Sequence, residues 1–201
     1  MALTFTPTNV QEPPVEPVAL EPVRQAQRLL VQDRAAGLNQ LDEIFRAGIV
    51  PAPALQGRYR GELVALDIAP ILTPLLTALT RWWLPWQGKR FDAAASLGDN
   101  LFSRDALPLS YVMMPFYRGR VPDTPTTFRA FTFRTYTASG LTDPDREVLK
   151  IDYDLPQNPA LNVRRVMDEL VQVGEKVYLG KAHVQWWWGT WQLVAYFSLM
   201  T

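Results

Sequence analysis

The chain has 201 residues, with 20 Lys+Arg against 20 Asp+Glu, one histidine and no cysteine. Such a length holds one domain with appendages, and a formal charge of zero speaks against an electrostatic grip on nucleic acid or anionic lipid. The absence of cysteine removes disulfides, thiolate zinc sites, iron–sulfur clusters and cysteine nucleophiles together.

Residues 1–21 carry Pro7, Pro13, Pro14 and Pro17 among Thr, Glu and Val, a pattern that blocks helix and deprives a sheet of donors. An extended arm is expected. It has neither the basic nor the apolar region of a secretory signal, so a cytoplasmic location is the default. Residues 22–50 read as two helices packed on the outside of the main body. The first starts at Pro22 and stops at Gly37; the second places Leu38, Leu41, Ile44 and Phe45 at helical spacing and ends at Gly48. Residues 51–201 form the main domain.

That domain opens with a strand, LQGRYRGELVAL, followed by a segment whose Leu72, Leu75, Leu76, Leu79, Trp82 and Trp83 wrap more than one face of a helix. Pro70, Pro74, Arg81 and Pro85 make it too interrupted to cross a bilayer, which needs about 20 apolar residues. A lid helix over an apolar space is expected instead. Strands are then expected at KRFDA, NLFSRD, LSYVMMPFYRGRV, TTFRAFTFRTYTASG, REVLKIDYDLP, DELVQVG, KVYLGKAHVQWWW and the closing apolar run. About nine strands with one internal helix predict a closed antiparallel β-barrel.

The end of the chain, KAHVQWWWGTWQLVAYFSLMT, tests this. A two-residue turn at Gly189-Thr190 sets Trp188 opposite Trp191, Trp186 opposite Leu193 and Val184 opposite Ala195, with Phe197 and Leu199 continuing an apolar face. The other face carries Lys181, His183, Gln185, Trp187, Gln192, Val194, Tyr196 and Ser198. Such period-two sorting fits a half-buried hairpin. With Phe131, Phe133 and Tyr153 on neighbouring strands, the rings are expected to wall a cavity for one small ligand, since about eight strands enclose that much room.

Two stretches resemble a known family. GRYRG, Gly57 to Gly61, with the apolar helix and WQGKRFD after it, is similar to the Gly-X-Trp-X-Gly family of uncharacterised bacterial proteins, Tyr59 standing where that family has tryptophan. DREVLKIDYDLPQNP and VMDELVQVGEKVYLGKA resemble the segment commonly found beside it. The resemblance covers about half the chain. It implies a lipocalin-like (calycin) barrel and a hydrophobic ligand; it brings no catalytic residues.

The chemistry-bearing residues point to binding. His183 is the one histidine and faces away from the cavity in this register, so a surface role is expected rather than haem ligation, and no metal or cofactor is expected. Neither a multi-histidine metal centre nor a Ser-His-Asp relay can be assembled. Asp152 and Asp154 share a face and are expected in solvent; Asp168 and Glu169 are expected to cap a turn or form salt bridges. Arg58 and Arg60 read as surface charges. The inward polar candidates are Tyr59, Arg90 beside Phe91, Tyr153 and Thr135.

The expected function is a lipocalin-like binding protein holding one small lipophilic molecule, a fatty acid, terpenoid or polyketide-like compound, with no nucleic-acid partner. Two alternatives stay open: an isomerase or cyclase using the same cavity, and a non-enzymatic module docking on a protein or membrane surface through its arm and tryptophan-rich helix.

Overall fold

A computed structural model of the chain describes residues 20–52, 54–67 and 86–201. Residues 1–19 of the expected arm lie outside these, as does the expected lid helix with Leu72, Leu75, Leu76, Leu79, Trp82 and Trp83.

Helix α1, Glu21–Gln32, begins with Pro22 in its first turn and buries Val23 and Ala26. Leu20, just before it, is also buried. Helix α2, Arg34–Ala47, starts earlier than the expected Leu38. The Asp33 side chain accepts the Ala36 N–H at 3.0 Å and caps it. Gly37 therefore lies inside α2, against Leu30, instead of ending α1.

Nine strands follow among the described residues: β1 Gly57–Leu66, β2 Trp86–Asp92, β3 Leu97–Ser103, β4 Val121–Pro122, β5 Thr127–Ser139, β6 Glu147–Asp152, β7 Val166–Gly174, β8 Val177–Gln185 and β9 Trp191–Met200. The pairing order is β3-β2-β1-β9-β8-β7-β6-β5-β4, and a further β3–β5 pairing closes eight of them into an antiparallel barrel. The two-residue β4 is an extra strand on β5. The fold is thus mainly β and consistent with a lipocalin-like barrel.

The expected strand LSYVMMPFYRGRV is instead helical at its start, where Leu109 to Met113 belong to helix α3, Leu107–Met113, with Pro108 in its first turn; turn and irregular chain follow, and only Val121 from its end joins β4. A proline at a first helical turn gives up no hydrogen bond, so it starts a helix where it would interrupt a strand.

Two layers of apolar packing result. Inside the barrel lie Tyr59, Phe91, Phe102, Phe131, Phe133, Phe197 and their neighbours. Outside, Val23 and Ala26 of α1 and Leu41 and Phe45 of α2 cover Val64, Val171, Leu179 and Tyr196 on the outer faces of β1, β7, β8 and β9. Each large side chain buried there contributes about 1.5–3 kcal/mol. Ion pairs clamp this outer layer. Lys181 holds Asp42 of α2 at 2.5 Å and Asp143 of the β5–β6 turn at 2.7 Å, and Arg46 reaches Asp143 and Asp145.

The β8–β9 reversal is where expected, but its geometry differs. The Trp186 N–H donates to Thr190 O at 2.9 Å, so three residues, Trp187 to Gly189, make the loop, with Gly189 at φ +91°. The ladder sets Gln185 opposite Trp191, Val184 opposite Gln192 and His183 opposite Leu193, then shifts so that Ala182 faces Ala195. That bulge turns Val194 and Ala195 both inward and leaves Leu193 against the outer helical layer.

Candidate functional site

Within the barrel is a cavity of about 280 Å³, nearly twice the ~150 Å³ that admits a benzene ring. Its walls are mostly apolar: Trp86, Phe102, Met113, Met114, Phe131, Val163, Val166, Ala182, Val184, Trp186, Val194 and Phe197. Four polar residues meet among them: Lys89 of β2, Asn100 of β3 and Asp168 of β7, with Tyr153, which follows β6.

The positions follow from alternation. Phe91 points inward, so Lys89, two residues earlier, does too, while Arg90 faces out, opposite Arg58 in the ladder and exposed. Gly88, at φ +131°, lets β2 reach this register; a Cβ there would stand 2.0 Å from Tyr59 O. Asp168 and Glu169 are adjacent in mid-strand and go to opposite faces. Asp168 enters the barrel, and Glu169 pairs with Lys150 outside. Both form ion pairs, as expected, and Glu169 Oε1 also accepts the Leu141 N–H of the β5–β6 turn at 2.6 Å.

Lys89 is 2% exposed. Its ammonium donates to Asp168 Oδ2 at 2.8 Å, to Asn100 Oδ1 at 2.9 Å and to the Tyr153 hydroxyl oxygen, which uses all three of its hydrogens. The Tyr153 hydroxyl donates to Asp168 Oδ2 at 3.0 Å, Asn100 Nδ2 donates to the Tyr153 oxygen at 3.0 Å, and Trp86 Nε1 donates to Asn100 Oδ1 at 3.1 Å. Lys89 Nζ also sits 5.2 Å from the ring centroids of Phe133, Tyr153 and Phe197. One valence is left over: among the described residues Asp168 Oδ1 is buried without a hydrogen-bond partner. Burial pushes the Lys89 ammonium below its ordinary pKa, against the opposing pull of Asp168. Burial, then the Asp168 charge, drives the Tyr153 phenol well above its own, so it stays protonated.

Phe131 ties this cluster to the wall. It holds a left-handed backbone, φ +56°, at a bulge in β5, a conformation that costs a non-glycine residue about 1–3 kcal/mol. The Tyr117 hydroxyl accepts its N–H at 2.6 Å and Asn100 Nδ2 donates to its carbonyl at 3.2 Å.

Of the residues singled out from sequence, Phe131, Tyr153, Trp186 and Phe197 line the cavity. Tyr59, Phe91 and Phe133 are buried in the same interior core, packed edge to face, Tyr59 on Phe91 at 5.4 Å and Phe91 on Phe133 at 5.3 Å. Thr135 is half-buried on β5. Trp188 stacks on Trp186 at 5.3 Å from the loop and is 71% exposed, and Trp191 and Leu193 fall on the outer side because the three-residue loop reverses their register. His183 does face away from the cavity, but it is fully buried, not a surface residue, and among the described residues neither ring nitrogen has a partner. Asp152 is likewise buried, held by Arg134 at 2.6 Å, whereas Asp154 is more exposed and pairs with Arg164.

Sequence reasoning passed over Lys89 and Asn100, and gave Asp168 a capping or salt-bridge role without placing it in the cavity. Lys89 was recoverable from its spacing to Phe91. Among the described residues no group of three or more His, Asp or Glu is placed to hold a metal ion, and no helix is long and apolar enough to cross a membrane.

Comparison with known proteins supports the architecture. No family model and no curated protein sequence matches the chain. The crystal structure of a protein from Thermomonospora curvata is similar to it, with a TM-score of 0.50 and 17% identity, over 90% of this chain and 97% of that one. A likeness at that identity is a likeness of fold.

Proposed function

We propose that the protein binds one small lipophilic molecule in the barrel, with the molecule's polar end on Lys89, Asn100, Tyr153 and Asp168. The observation that carries this is an apolar-walled cavity of about 280 Å³ whose buried polar cluster retains one unfilled acceptor, Asp168 Oδ1. Membership of the Gly-X-Trp-X-Gly family belongs to the same proposal; it is supported by Gly57 to Gly61 on β1, where Tyr59 is buried in the barrel interior.

The cluster narrows the ligand. Lys89 and Asp168 already neutralise each other, and Arg165 on the same wall is engaged by the Gln185 and Trp186 carbonyls and the Trp187 ring, so a carboxylate seated on the Lys89–Asp168 pair would add an unbalanced charge there. A neutral polar end, hydroxyl or carbonyl, fits better than a fatty acid's. Titrating tryptophan emission with matched compounds tests this. Cinnamyl alcohol and cinnamaldehyde are expected to saturate the signal with Kd about tenfold or more below that of cinnamate, a difference of about 1.4 kcal/mol. No saturable change with any of the three contradicts the proposal.

Catalysis is the second reading, favoured by one observation. A carboxylate with a free oxygen stands 3.0 Å, through its other oxygen, from a phenol kept protonated, which is a general base beside a general acid. An isomerase of this kind would turn over a substrate in the parent protein and lose that turnover in Asp168→Asn.

A further inference from the structure

We propose that Lys89 forms an imine with a small apolar aldehyde held in the cavity. This rests on the cavity reading above and adds a covalent step to it. The chain has four lysines, at 89, 150, 176 and 181. Lys150 and Lys181 are paired with Glu169, Asp42 and Asp143 outside the barrel, and Lys176 lies exposed in the β7–β8 turn. Lys89 is the lysine that lines the cavity. Its surroundings match what imine formation needs: an apolar site that disfavours the ammonium, a carboxylate beside the nitrogen and a phenol to move the proton.

The step balances without a further reagent. An aldehyde and the Lys89 ammonium give a protonated imine and water. The carbonyl carbon–oxygen double bond becomes a carbon–nitrogen double bond, the oxygen leaves with two of the ammonium hydrogens, and the positive charge stays on nitrogen. Tyr153, in contact with both Lys89 and Asp168, passes the proton that the amine loses on attack to the departing hydroxyl.

The hydrogen-bond network tolerates the change. A protonated imine keeps one N–H, and Asp168 Oδ2 at 2.8 Å remains its counter-ion. Asn100 and Tyr153, which give up their contacts with Lys89, still hold each other at 3.0 Å, and Asn100 Oδ1 keeps Trp86 Nε1 at 3.1 Å. No buried group beyond Asp168 Oδ1 is orphaned, and the net charge of the cluster is the same before and after. The chain also has no thiol to divert an unsaturated aldehyde.

The test treats the purified full chain with cinnamaldehyde and sodium cyanoborohydride, which fixes an imine as a secondary amine, followed by intact mass and peptide mapping. One adduct is expected on Lys89, formed about tenfold or more faster than on exposed Lys176, and suppressed by excess cinnamyl alcohol, which fills the cavity but has no carbonyl. Lys89→Arg, which keeps the cation, is expected to lose that adduct while the slower labelling of exposed Lys176 persists. The competition on the unmodified protein stands whether or not this variant folds. Saturable tryptophan quenching with adducts at Lys176 and none at Lys89 overturns the imine and leaves the binding proposal intact. Labelling of Lys89 that the alcohol does not suppress also overturns it. Absence of both quenching and Lys89 adduct overturns the two together.

Discussion

Two buried charges, Lys89 and Asp168, stand 2.8 Å apart inside the barrel, and among the described residues neither has another ionic partner there. Removing one leaves the other unbalanced in a medium that solvates it poorly. Asp168→Asn is therefore expected to lower unfolding stability by about 3–5 kcal/mol, and the double change Lys89→Met with Asp168→Leu to recover most of that loss. Urea denaturation of the single and double variants measures it; a single variant within about 1 kcal/mol of the parent shows that the pair does not hold as described. His183 gives a second expectation. Burial lowers its pKa below 6.5, with Glu169 and Asp168 opposing and Lys181 and Lys150 reinforcing the shift. The unfolded chain takes up a proton near 6.5 and the folded one only at lower pH. The contribution is thus complete above 6.5 and is lost as pH falls from there through the folded value. His183→Phe is expected to flatten the fall in Tm between about pH 7 and 5; an unchanged slope assigns the acid sensitivity elsewhere. At this scale Tyr153 was legible, because its alternation with Ile151 points it inward. A salt bridge for Asp168 was legible, but its place in the cavity was not, because only tertiary closure brings Lys89 to it.

Among the elements, β2 sets the site. Gly88 gives it the close approach to β1 that carries Lys89 inward, so Gly88→Ala is expected to cost more than about 1 kcal/mol through its positive φ and the collision with Tyr59 O. Thermal unfolding checks this, and a neutral result would mean that the strand relaxes around the methyl. The long alternating strands β5 and β6 and the two outer helices were legible from periodicity alone. Helix α3 was not: Tyr111, Val112 and Met113 suit a strand as well as a helix, and the decision came from Pro108 in the first turn. The register of β9 was hidden for a different reason. Trp186 to Thr190 accommodates a two- or a three-residue loop, and a bulge at Val194 leaves no compositional mark.

For the whole molecule, closure is what converts these elements into a container. Pairing of β3 with β5 completes the ring of eight strands, and it brings Asn100 to Phe131 and Tyr153 across the seam. A count of strands anticipated a barrel, but the polar cluster depends on which strands meet. The measurement that tests this most directly is a crystal structure of the protein saturated with cinnamyl alcohol. One molecule is expected inside the barrel, its ring among Trp86, Phe131, Val184 and Phe197 and its hydroxyl within hydrogen-bonding distance of Asp168 Oδ1. A cavity that holds only water at saturating ligand, or a ligand bound only on the outer surface, would contradict the account.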